Sequence, residues 1–99
     1  LETPLVLGAS VGVICLPENK EEPTDNGCLT AGWGVLKGSQ YAKVLQQARI
    51  PLVSKEECMK FWKEDLTEGN VCAGGAGASS CLGDSGGPLI CKMKNKYML

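Results

Sequence analysis

Six cysteines in 99 residues, with no histidine anywhere, constrain this chain more than any other feature. A chain so short fits one small domain at most and buries a limited core, so covalent support is expected. There is no C-x-x-C pair and no imidazole, so the common zinc signatures are missing and no metal is expected. The cysteines instead fit disulfides formed in an oxidising compartment, holding the fold and doing no chemistry. Many pairings are open to six cysteines, and spacing alone does not choose among them.

Composition narrows the class further. With 43% hydrophobic and 21% charged residues the chain reads as globular, not disordered. A net charge of −1 gives no field that would favour nucleic acid or an anionic membrane. The few aromatics do not interleave with a basic stripe, so neither nucleic acid nor membrane is expected as a partner. No run approaches the length of a membrane span. The first sixteen residues are apolar, but they lack a basic start and Met and carry Glu2 and Pro4, unlike a signal peptide. The expectation is a chain that begins partway through a longer protein.

Along the chain, residues 11–16 are apolar, rich in β-branched side chains and stopped by Pro17, which predicts a strand. Residues 18–27 read as a surface loop. Residues 28–35 predict a strand in which Gly32-Trp33-Gly34 marks a close backbone approach. A loop at 37–40 leads to a strand at 44–53, bent or broken at Pro51. Ser54 followed by Glu57 is a capping-box pattern, with Glu56 and Glu57 at the positive end of a helix. Cys58, Phe61 and Trp62 share one face of that helix, which ends before Glu68-Gly69, and the aromatics are expected to pack. Residues 88–91 resume a strand pattern, 92–96 read as a turn, and 97–99 as a return strand. The class is all-β with one short helix.

The segment carrying chemistry is residues 74–87, six of them glycine. Within Gly83-Asp84-Ser85-Gly86-Gly87 the serine is a weak nucleophile that needs exposure and a base, and glycines on either side leave room for a substrate backbone. The N–H groups of Gly83 and Ser85 can serve a developing oxyanion, worth about 3–4 kcal/mol each. The same five residues match G-x-S-x-G. That elbow needs a strand before it and a helix after it, whereas here a Gly/Ala/Ser run precedes and Pro88 follows.

The longer string Cys81-Leu82-Gly83-Asp84-Ser85-Gly86-Gly87-Pro88-Leu89 resembles the nucleophile signature of the chymotrypsin/trypsin family of serine peptidases. Ala31-Gly32-Trp33-Gly34, Leu45-Gln46-Gln47-Ala48, Pro51-Leu52-Val53-Ser54 and Asn70-Val71-Cys72-Ala73-Gly74 are similar to further family stretches, in family order. The resemblance implies a partial trypsin-like fold over 1–99, most of the second, C-terminal antiparallel β-barrel with one short helix. It implies Ser85 as nucleophile and Gly83 and Ser85 as oxyanion-hole donors. Asp84 would pair with the N-terminal ammonium group made by zymogen cleavage; unpaired and buried, its charge would be costly. Ser79 matches the base of the primary specificity pocket, and Ser80 and Leu82 its lining and rim. A neutral serine there implies a chymotrypsin-like preference for large apolar side chains. The implied disulfides are Cys58–Cys72, worth about 3 kcal/mol, and Cys28–Cys91, on the order of 4 kcal/mol. Cys15 and Cys81 are left without partners in this chain.

The implied protein is a secreted, zymogen-derived digestive serine endopeptidase acting on protein or peptide substrates without a cofactor. Yet no histidine is present to take the proton from Ser85, and neither Asp25 nor Asp65 sits in the context of the catalytic aspartate. The expectation is therefore a fragment, or one chain of a multi-chain enzyme, inactive alone. Its partner would be the remainder of the peptidase, a first barrel carrying the catalytic His and Asp. The alternatives are a non-catalytic binding or regulatory homologue and a truncated gene product. Ser85, Asp84 and Gly83 together weigh against the first of these.

Overall fold

A computed structural model describes residues 1–18, 23, 27–63, 66–75 and 77–99. Most of the loop expected at 18–27 lies outside the described residues, as do Asp25 and Asp65. The elements run β1 (Cys28–Gly32), β2 (Gln46–Ile50), β3 (Leu52–Val53), α1 (Lys55–Trp62), β4 (Cys72–Ala73), β5 (Leu89–Met93) and β6 (Lys96–Met98). The all-β class with one short helix holds. No helix among the described residues is long and apolar enough to cross a membrane.

Four strands form one antiparallel sheet in the order β2-β1-β5-β6, and β3 and β4 form a two-stranded ribbon. β1 is the hinge of this arrangement. Its residues pair with β2 from Cys28↔Ile50 to Gly32↔Gln46, and its middle pairs with β5 at Leu29↔Ile90 and Thr30↔Leu89. β1 thereby links to a segment about sixty residues away, and that segment begins immediately after the Gly83–Gly87 stretch. Pro51, which cannot donate to a ladder, separates β2 from β3 and lets the chain leave one sheet for the other. The sheet stays open, with β2 and β6 at its edges.

Residues 11–16 do not form the expected strand. They make only isolated bridges, Gly8↔Val11 and Cys15↔Met98, the latter supported by Leu99 N–H donating to Cys15 O at 2.9 Å. Strand propensity expresses how a side chain fits a pleated, half-buried surface, and Val13 stands 83% exposed with no such surface over it.

The helix begins where the sequence places it. Ser54 is the N-cap, and its Oγ accepts from Glu57 N–H at 3.2 Å. It ends before Glu68-Gly69, as expected, at Trp62, where Lys63 takes a positive φ of 46° and its N–H bonds to Met59 O. Replacing Ser54 by alanine is expected to cost about 1 kcal/mol, the usual value of an N-cap. Urea denaturation measures this, and an unchanged midpoint would show that the cap adds nothing to the fold. The expected packing of the aromatics is not met. Cys58 is buried, but Phe61 and Trp62 are 82% and 63% exposed. The helix is tied in at its cysteine, and its last turn leaves both aromatics largely in solvent.

Two disulfides join these elements. Cys28–Cys91 crosses from β1 to β5 with Cα atoms 4.4 Å apart, and Cys58–Cys72 ties α1 to β4 with Cα atoms 6.3 Å apart. Cys15 and Cys81 are free and exposed. The main cluster of the core is built on the first disulfide: Cys28, Cys91 and Met93, with Leu52, Leu89 and Met98 packed against them. This core is small. The chain exposes 8529 Å², against about 5400 Å² expected for a folded monomer of its mass. Its radius of gyration, 15.2 Å, exceeds the roughly 13 Å of a compact chain of this length.

Candidate active site

Ser85 lies on a tight turn between Cys81 and β5. Asp84 N–H donates to Cys81 O and Gly87 N–H to Asp84 O, both at 2.9 Å, so two successive turns present the serine at the surface. Gly83 and Gly86 adopt φ of 91° and 81°, a region that favours glycine, and this is the local reason for glycine on either side. Downstream, the turn is anchored to the sheet: Thr30 Oγ1 donates to Pro88 O at 2.9 Å just before β5 begins. Upstream, Val35 N–H donates to Leu82 O at 2.8 Å. The Tyr41 ring lies over Gly83, so that a Cβ on Gly83 would stand 2.9 Å from Cε1.

Asp84 is half-buried and points away from the surface. Its Oδ1 accepts from Gly34 N–H at 2.7 Å and its Oδ2 from Cys81 N–H at 3.0 Å. Hydrogen bonds to an ionised acceptor are about twice as strong as neutral ones, so the carboxylate fixes the turn from within. Ser85 is exposed, and no described side chain accepts a hydrogen bond from its Oγ. Among the described residues neither Gly83 N–H nor Ser85 N–H donates to a protein acceptor, which leaves both available to an incoming oxyanion.

The other expected residues divide between two cavities. One, of about 510 Å³, is lined by Val71, Ser80, Leu82, Asp84, Ser85 and Gly86. The second, of about 310 Å³, holds Ser79 and again Ser80 and Asp84, bounded by Gly34, Leu36 and Gln46. Neither of these two cavities holds both Ser79 and Ser85, and Thr30, Ser80 and Asp84 line both. No group of three His, Cys, Asp or Glu side chains among the described residues is placed to hold a metal ion.

Sequence reasoning missed Thr30 and Tyr41, which stand against the turn. Only the glycine pair 32 and 34 left a signal, as an approach by an unspecified neighbour. Comparison with known protein families gives the description Trypsin, matched over residues 1–98. With that match over nearly its whole length, and with an exposed serine on the Gly-Asp-Ser-Gly turn, the chain belongs to the trypsin family of serine peptidases, whose substrates are proteins.

Proposed function

We propose that this chain supplies the nucleophile half of a serine endopeptidase. Ser85 Oγ attacks the scissile carbonyl of a peptide, an acyl-enzyme forms as the amine leaves, and water then releases the acid. The observation that carries this reading is the turn itself: Ser85 exposed, the N–H groups of Gly83 and Ser85 without an acceptor among the described residues, and Asp84 bonded inward. Those N–H groups hold the oxyanion of the tetrahedral intermediate. The proton of Ser85 needs a base, and the sequence holds no imidazole. A histidine and an aspartate from outside these 99 residues complete the site, and the surface in excess of a compact fold supports packing against the part that carries them. On activation, Asp84 exchanges part of its present hydrogen bonding for the new N-terminal ammonium group.

The neutral pocket residue Ser79, with Ser80 and Leu82, supports a preference for large apolar or aromatic residues before the cleaved bond. A carboxylate at Ser79 would be needed to favour Lys or Arg. Two disulfides fit a secreted protein.

A fluorophosphonate titration tests the reading. The 99-residue chain alone is expected to take up no stoichiometric label, because removing a triad member leaves only weak residual catalysis. The same residues within the peptidase that carries His and Asp should label one-to-one at Ser85. Stoichiometric labelling of the isolated chain would overturn the divided site, and no labelling of the complete protein would overturn the peptidase.

A further inference from the structure

Gly32 and Gly34 are not explained by their backbone. Neither takes a positive φ, so any residue could adopt their conformation. What excludes a side chain is space. A Cβ on Gly34 would stand 2.6 Å from Asp84 Oδ1, and one on Gly32 would stand 2.9 Å from Asp84 Cγ, both overlapping the carboxylate. Real Cβ atoms do not approach that closely, and a half-buried carboxylate held by two N–H bonds has little freedom to retreat. Gly34 is itself buried, and its N–H supplies one of those two bonds.

The segment around these glycines also grips the nucleophile turn elsewhere. Val35 N–H holds Leu82 O, and Ala42 N–H holds Gly34 O at 3.2 Å, which sets the Tyr41–Ala42 segment beside Gly83. The end of β1 and the residue pair that follows it thus form a seat whose floor is two glycines and whose occupant is Asp84.

We infer that Gly32 and Gly34 are positioning residues for Ser85, acting through the Asp84 carboxylate. Filling the seat displaces the carboxylate, breaks its bonds to Gly34 and Cys81, and shifts the turn that carries the Gly83 and Ser85 N–H groups. The catalytic half of this inference rests on the reading of Ser85 as nucleophile; the seat itself does not.

The test uses Gly34→Ala, Asp84→Ala and the double variant in the protein that carries this chain, with Gly12→Ala as a control. Gly12 has ordinary φ and nothing within 4 Å of a built Cβ. Two readouts separate the two halves. In urea denaturation, Gly34→Ala lowers the midpoint in the presence of Asp84 but not in its absence, so the double variant matches Asp84→Ala. In fluorophosphonate labelling, Gly34→Ala slows modification of Ser85 about a hundredfold, the scale of a 1 Å misplacement, while Gly12→Ala labels at the unsubstituted rate. Midpoint shifts that simply add would overturn the seat, whatever the labelling shows. Non-additive shifts with labelling within threefold of the unsubstituted protein would overturn the positioning role. If Gly34→Ala does not fold, a folded double variant supports the seat and an unfolded one overturns it. Absence of label on the unsubstituted protein would count against the peptidase reading alone, and the denaturation cycle still decides the seat.

Discussion

Replacing Ser85 by alanine in the complete peptidase is expected to lower kcat for peptide hydrolysis about a million-fold, the scale found when the serine of such a triad is removed. The substitution deletes one oxygen from an exposed side chain that makes no hydrogen bond to the described residues, so the fold has little to lose. The turn is held by Asp84, Gly87 and Leu82 and not by Ser85 Oγ. Both N–H groups remain, including that of residue 85, so transition-state binding by the oxyanion hole persists as a residual rate about a thousandfold or more above water. Substrate affinity should stay within a few-fold, since Ser79, Ser80 and Leu82, proposed above as the pocket, are untouched. Steady-state kinetics with a peptide amide, beside a urea melt of the same sample, make the measurement. A variant that keeps more than a tenth of the activity would remove Ser85 from the chemistry, and a large fall in stability would assign it a structural role instead.

Removing the Cys28–Cys91 disulfide, by alanine at both positions, is expected to cost about 4 kcal/mol, against about 3 kcal/mol for Cys58–Cys72. The chain-entropy difference follows from the sequence separations of 63 and 14 residues that the two bonds close. Tertiary structure sharpens the contrast. Cys28 is fully buried and sits with Cys91 and Met93 at the centre of the main core cluster, where β1 meets β5. Small domains hold only about 5–15 kcal/mol of stability in total, and this one buries little apolar surface beyond the disulfide. The variant is therefore expected to lose cooperative unfolding when tested on this chain, with the loss visible as an early, broad urea transition. Loss of the shorter bond should leave the β1–β5 pairing, and with it the nucleophile turn, in place. Equal destabilisation by the two variants would show that loop length and core position do not govern the result.

How much of this was legible beforehand varies with the range of the interactions involved. The cap at Ser54 and the break at Pro51 depend on a few neighbouring residues, and both stand where the sequence puts them. The family resemblance rests on ordered short strings, and the match to the trypsin family agrees with it. The aromatics of α1 show the opposite case. Their spacing defines a face, but a face packs only if something stands across from it, and Phe61 and Trp62 remain in solvent. Residues 11–16 have strand composition without a ladder to join, since pairing partners are supplied by the rest of the chain.

The six cysteines pointed, from sequence alone, to a cross-linked chain, and these 99 residues hold no imidazole to take a proton from Ser85. Sequence also marked Gly32 and Gly34 as a place where something comes close, because two glycines around a tryptophan at a strand end give up side-chain packing for space. Only tertiary structure decided what comes close. The occupant is a carboxylate fifty residues further along, brought there by the pairing of β1 with β5. It likewise placed Ser79 and Ser85 in two different cavities, with Thr30, Ser80 and Asp84 lining both. Local conformation follows from neighbours in the chain, whereas a contact between distant residues is settled by which strands pair and in what register.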